Sequence, residues 1–131
     1  MTWVDLLDDS RGIRAIFGNE LPSFQGSALH SARLHRDGPT LKLVCDTRNF
    51  PSRPPRKWLG ANTARIELWF TGVESVRIAI DAITEPIDLN IARSCVAGSD
   101  LIRVTGIVEG VAKIEATATR VHLSRISAHR C

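Results

Sequence analysis

The sequence lacks the short motifs that mark nucleotide-binding proteins and hydrolases. It contains neither a GxGxxG nor a GxxxxGK[ST] glycine loop, so nothing indicates a nucleotide cofactor. It has no GxSxG nucleophile motif and no CxxC pair. These absences favour a protein that binds over one that catalyses. We therefore predict no catalytic residue, no metal and no cofactor.

The sequence also has few cysteines, and their arrangement excludes a disulfide framework. Cys45, Cys95 and Cys131 are odd in number and widely spaced, which is typical of reduced thiols. Cys45 stands at an apolar strand position and is predicted to be buried. Cys95, in a loop after Ser94, is the best candidate for a nucleophile, although a loop cysteine without a catalytic role explains it more simply.

Long apolar segments are absent as well. Residues 1–9 carry three acidic residues and no basic one, which does not fit a signal peptide. No window approaches the roughly 18 apolar residues of a membrane span. We therefore expect a cytoplasmic protein.

The length and charge of the chain set further bounds. Its 131 residues predict one domain, residues 1–131, which can bury a core without disulfides or a metal. Seventeen basic residues are offset by fourteen acidic ones, giving a net charge of +3. This excess is small for a nucleic-acid-binding protein, so it is only a weak indication of that function.

The first twenty residues predict one short helix. Asp8, Asp9 and Ser10 are candidate N-caps, Ile13, Ile16 and Phe17 recur at helical spacing, and Gly18 is a suitable stop. We predict a helix over residues 10–17, preceded by a turn near residues 3–7. So short a helix is unstable alone, and its apolar side chains must dock on a sheet.

Beyond residue 27 the sequence alternates between apolar and polar residues. Asp37 and Gly38 predict a hairpin turn, and a phase change between Leu123 and Ile126 predicts a β-bulge in the last strand. Connections are short, and no helix-length crossover separates the strands, which excludes a parallel α/β sheet. The predicted fold is mainly β (α+β). It has about eight antiparallel strands in a curved sheet or two packed sheets, with one short N-terminal helix.

A proline-rich basic segment, residues 48–58, interrupts this pattern, and we call it the basic loop. Its prolines exclude a helix interior or a central strand. Phe50 and Trp58 are predicted to fold back onto the sheet, leaving Arg53, Arg56 and Lys57 exposed. Those cations and aromatics fit stacking on single-stranded nucleic acid, contact with an acidic protein surface, or simple solvation.

Trp69 is unusual because it stands in the polar phase of its strand. One explanation is that the N-terminal helix covers that face and makes Trp69 a core residue. The other is that Trp69 is an exposed binding anchor, since tryptophan is enriched at binding hot spots. We favour the first explanation, because the helix needs a surface on which to dock.

The histidines do not predict a metal site. His30 and His35 are five residues apart, and His122 and His129 are seven apart. An odd spacing on a strand sends two side chains to opposite faces, so neither pair makes a simple local site.

Several short segments in a fixed order resemble one known family. They are Ile16-Phe17-Gly18, Pro22-Ser23-Phe24, the run from His35 to Leu41, Phe50-Pro51, the run from Pro54 to Trp58, and Ile126-Ser127-Ala128-His129. Together they resemble the immunity protein 50 family of bacteria over the whole chain.

The resemblance implies a small non-enzymatic protein that binds and neutralises a cognate toxin of a polymorphic toxin system. It carries over no catalytic residue. Our candidate partner-binding residues are Arg53, Arg56, Lys57, Trp58 and Trp69. The mildly basic charge argues against a nuclease toxin with a basic groove, although Asp5, Asp8 and Asp9 form a local acidic cluster.

Other functions stay open at this point. The small residues Ala112, Ala116 and Ala118 would leave room for a small ligand inside a barrel-like carrier. A nucleic-acid-binding module would act through Arg48 and the cations of the basic loop. An exposed edge strand would also permit a homodimer.

Overall fold

The computed structural model describes residues 2–79, 86–94, 98 and 100–130. A 3₁₀ turn at Trp3–Leu6 is followed by helix α1, Arg11–Phe17. Gly18 ends the helix with a φ of 60°, in the left-handed region that glycine tolerates. The predicted helix is confirmed to within one residue, and its Ile13 and Phe17 are buried as expected.

The described residues form eight strands, and every pairing between them is antiparallel. They are β1 (Ala28–His35), β2 (Thr40–Thr47), β3 (Thr63–Thr71), β4 (Ser75–Ile78), β5 (Asp88–Arg93), β6 (Ile102–Val108), β7 (Val111–Ala118) and β8 (Arg120–His129). The predicted turn at Asp37 and Gly38 joins β1 to β2. Another tight turn, between β6 and β7, places Glu109 and Gly110 at positive φ. The predicted antiparallel fold is confirmed.

The strands belong to two sheets rather than to one curved sheet. The first sheet has the order β1-β2-β3-β8, and the second has the order β4-β7-β6-β5. The chain crosses between the sheets twice, from β3 to β4 and from β7 to β8. Both crossings meet at one corner, where the Thr119 amide donates to the Thr71 carbonyl at 3.0 Å. Gly72 is required there, because a Cβ on it would lie 2.2 Å from the Thr119 hydroxyl.

A second junction joins the sheets near the start of β1. Ser27 and Ile87 exchange backbone hydrogen bonds of 3.0 and 2.9 Å, so the chain before β1 pairs beside β5. The Trp3 indole N–H donates to the Pro22 carbonyl at 2.8 Å, and its ring packs 4.8 Å from that of Phe24. The N-terminal segment is therefore fixed to the same junction.

The two sheets contribute different side chains to one buried core. The first sheet supplies large residues from its central strands, namely Leu41, Leu43, Ile66, Leu68 and Phe70. The second sheet supplies Ile102, Val104 and Ile114 together with the small residues Gly106, Ala116 and Ala118. Ala112 is exposed and does not line the interior. Of the three alanines that suggested room for a small ligand, Ala112 is therefore outside, and Ala116 and Ala118 are buried in the core.

Cys45 lies in this core, as predicted. Its burial, with a smaller contribution from Asp46, raises the pKa of the thiol to about 12. A thiol with so high a pKa is a poor nucleophile near neutral pH. Cys95 and Cys131 lie outside the described residues.

Within the described ranges, no helix is long and apolar enough to cross a membrane.

A candidate partner-binding face

The basic loop is anchored by its aromatic residues, as predicted. A 3₁₀ turn at Arg56–Trp58 places the Trp58 ring 5.9 Å from that of Phe50. Trp58 is only 4% exposed, so it holds the loop in place and offers a partner almost no surface. Arg53, Arg56 and Lys57 are exposed. The exposed cations of the loop therefore lie on a segment that its buried aromatic residues anchor.

Trp69 is half-buried, and its contacts are polar side chains of its own sheet. Its indole N–H donates to a Glu67 carboxylate oxygen at 3.0 Å, and the Lys42 Nζ lies 3.9 Å from the ring centroid. The His122 ring meets its edge, with a centroid distance of 6.2 Å. The prediction that α1 makes Trp69 a core residue is wrong. Ile13 and Phe17 dock into the core instead, and so the helix needs no second surface.

Strand register identifies the other side chains that share this side of the first sheet. We call this outer surface the basic face. Its charged residues are Arg33 on β1, Lys42 and Asp46 on β2, Arg65 and Glu67 on β3, and Arg120 and Arg125 on β8. Val44 lies half-buried among them at the centre of the face.

All four histidines of the chain lie on the basic face, which corrects the prediction from odd spacing. A β-bulge places the extra residue His30 between Leu29 and Ser31, and it brings His30 to the same face as His35. The bulge predicted in β8 is confirmed at Ser124, and it does the same for His122 and His129. Each bulge adds one residue and inverts the alternation that follows it.

These histidines are spread along the face rather than gathered at one point. Among the described residues, no group of three or more His, Cys, Asp or Glu side chains could hold a metal ion.

Asp46 is the centre of a polar network at one end of the basic face. Arg65 donates to both its carboxylate oxygens, at 2.8 and 3.1 Å, and the His129 Nε2 lies 3.5 Å away. Burial acts to raise the pKa of Asp46, but the hydrogen bonds and charge of Arg65, with smaller contributions from His129 and His30, outweigh it. The pKa of Asp46 therefore lies below its usual value, and the carboxylate is charged at neutral pH.

Two adjoining concavities lie along the centre of the basic face. Both are lined by His30, Ser31, Val44 and Glu67. One, of about 330 Å³, continues to Arg65, Arg125 and Ser127. The other, of about 300 Å³, continues to Arg33 and Lys42. The face thus combines an apolar centre with walls of basic and hydroxyl side chains.

The structure does not bring all the predicted contact residues together. The basic loop precedes Thr63 at one end of β3, and Trp69 lies six residues further on, about 20 Å along an extended strand. The basic face fills the distance between them. Sequence reasoning missed Arg33, Lys42 and Arg125, because their common orientation depends on strand register and on the two bulges.

The fold and this face define a small, mainly β protein of two antiparallel sheets with one basic, histidine-rich outer surface. The chain belongs to the immunity protein 50 family, whose model matches residues 9–127. Comparison with curated proteins gives no significant match, and neither does comparison with solved structures.

Proposed function

We propose that this protein is an immunity protein that binds a cognate toxin domain of a polymorphic toxin system and neutralises it without catalysis. The observation that carries the proposal is membership of the immunity protein 50 family over residues 9–127. Neutralisation by binding requires a stable scaffold and an exposed recognition surface, and needs no catalytic group. The described structure offers such a scaffold and such a surface.

We propose that the contact surface lies on the first sheet and its basic loop. Arg53, Arg56 and Lys57 are exposed cations on an anchored segment, and Trp69 presents a half-buried ring. Trp58 contributes indirectly, since its burial keeps the loop in position. Rigid segments lose little conformational entropy on binding, which favours affinity.

We expect the protein to act in the cytoplasm, where it would meet a toxin that enters or is made in the same cell. The experiment that tests the proposal is co-expression with the C-terminal module of a large protein encoded by a neighbouring gene, which the proposal predicts to be the toxin. Cells that make the module alone should stop growing, and cells that also make this chain should grow. A tagged chain should then carry the module through purification.

A growth defect that this chain does not relieve, together with no co-purification, would remove the basis of the proposal.

A Trp58→Ala variant is a useful control for the loop. It should weaken binding only to the extent that it releases the loop, which limited proteolysis of residues 48–62 detects.

A further inference from the structure

The donors and acceptors on the basic face are unequally satisfied. Both of its carboxylates are used internally, because Asp46 accepts from Arg65, and Glu67 accepts from the Trp69 indole. Arg33 and Arg125 are exposed and have no acidic partner within the described part of the chain. The face therefore carries two arginines, Arg33 and Arg125, that form no ion pair with either of its carboxylates.

The outer face of the second sheet is different. Glu115 lies on the central strand β7. It is 3.7 Å from the guanidinium of Arg103 on β6 and directly across from Arg77 on β4. The Ser75 and Thr117 hydroxyls pair with each other at 2.8 Å. No histidine lies on its described strands. The bases of this outer face, Arg77, Arg103 and Lys113, are offset by Asp88 and Glu115, so the surface offers a partner less unbalanced charge.

We propose that the basic face docks an acidic surface of the toxin domain, whose carboxylates enter the two concavities beside Arg33 and Arg125. This inference rests on the proposed function and names the chemistry of its partner. Arginine binds carboxylates in bidentate geometry, and Val44 supplies the apolar centre that interface hot spots use.

A protein partner fits this face better than a nucleic acid. Asp46 and Glu67 place two negative charges among the bases, where a phosphate backbone would be repelled. Lys42 covers one side of the Trp69 ring, and that side is therefore closed to stacking with a base. A protein surface can place separate carboxylates at the Arg33 and Arg125 walls and leave the Glu67 side uncharged, which a continuous phosphate backbone cannot do.

The test compares two double charge reversals that change the net charge equally. Arg33→Glu with Arg125→Glu alters the basic face, and Arg77→Glu with Arg103→Glu alters the second sheet. Each variant is titrated against the inactivated toxin module encoded beside this gene, with circular dichroism as the check on folding. We expect the first variant to bind about 100-fold more weakly, about tenfold for each reversed contact, and the second to bind like the wild type.

The salt dependence of the association rate gives a second measure of the difference between the wild type and the basic-face variant. The wild-type rate should fall as salt rises, and the basic-face variant should lose most of that dependence. If Arg33→Glu with Arg125→Glu fails to fold, the neutral pair Arg33→Gln with Arg125→Gln replaces it, with a smaller expected loss of affinity.

The outcomes separate this inference from the proposed function. A wild-type chain that does not bind the module overturns both. Binding that the basic-face variant retains in full overturns the inference alone. Binding to fluorescein-labelled oligothymidine at low salt, abolished by the same variant, would assign the face to nucleic acid and overturn the protein partner.

Discussion

The two sheets follow the same antiparallel pattern but distribute large and charged side chains differently. The first places large apolar residues such as Phe70 inside, and outside it carries histidines and two arginines, Arg33 and Arg125, that pair with no acid among the described residues. The second places Gly106 and two buried alanines inside, and paired hydroxyls and a paired acid outside. Both sheets supply large apolar side chains to the core, including Ile102 and Ile114 of the second, and they differ in the small residues inside the second sheet and the basic face outside the first. The second sheet packs closely at Gly106, which has no room for a side chain.

The largest effect should come from removing volume on the inner face of the first sheet. Phe70 is fully buried, so Phe70→Ala should lower the free energy of unfolding by about 3–5 kcal/mol. Urea denaturation measures this. Val104→Ala on the second sheet should cost less, because fewer methylene groups are removed. An equal or larger loss from Val104→Ala would contradict the expectation that the free energy lost follows the buried volume removed.

The second sheet should instead be sensitive to added volume. A Cβ on Gly106 would lie 2.8 Å from the Ile87 Cδ1 and 3.1 Å from atoms of Ile114 and Leu89. We expect Gly106→Val to lower the free energy of unfolding by about 1–3 kcal/mol through overpacking. Thermal unfolding gives the value.

Gly12 provides the matched control for that substitution. A Cβ on Gly12 in α1 meets no atom within 4 Å, and helix propensity favours alanine there by about 0.5–1 kcal/mol. Gly12→Ala should therefore be neutral or stabilising. A well-tolerated Gly106→Val would show that the second sheet is less closely packed than its geometry indicates.

The Asp46–Arg65 pair should contribute to stability in a pH-dependent way. Asp46→Asn should lower the free energy of unfolding by about 1–3 kcal/mol near pH 7, because Arg65 loses a charged acceptor. The folded-state pKa of Asp46 is lower than its unfolded value. The contribution is therefore present above about pH 4 and is lost as the pH falls through the folded-state pKa. Denaturation curves of the two proteins should converge in acid, and a constant gap would contradict this assignment.

The smallest effect should come from the corresponding ion pair of the second sheet. Arg103 and Glu115 are 3.7 Å apart, and both side chains are largely exposed. Glu115→Gln should cost less than about 1 kcal/mol, because solvent screens the pair. A loss as large as that of Asp46→Asn would remove the contrast between the two outer faces.

Much of the fold could be predicted from local pattern. Gly18 and the spacing of Ile13 and Phe17 predicted the helix, although the Ser10 side chain makes no capping hydrogen bond, and alternation with turn residues predicted the antiparallel strands. The basic loop was also predictable, since the prolines exclude regular structure, and Phe50 and Trp58 had to be buried somewhere. These features depend on residues close together in sequence.

The candidate face could not be predicted, because it depends on register between distant strands. The single extra residue at His30 and at Ser124 reverses the side on which the following residues point. The phase change in β8 was predicted from Leu123 and Ile126, and the one in β1, between Leu29 and Ala32, lies in a less regular apolar pattern and was missed. Trp69 was misassigned for a related reason. Its cover comes from Lys42 on one neighbouring strand and His122 on the other, and not from the nearest helix.

The central claim is that the toxin covers the basic face and leaves the second sheet free. The chain's three lysines allow one direct measurement, since Lys42 lies on the basic face, Lys57 on the basic loop and Lys113 on the second sheet. Lysine acetylation and histidine modification with diethylpyrocarbonate, read by mass spectrometry, can compare the free chain with its complex with the toxin module. We predict that Lys42 and the four histidines are shielded in the complex, whereas Lys113 reacts as before. Shielding of Lys113 with unchanged reactivity at Lys42 and the histidines would contradict it.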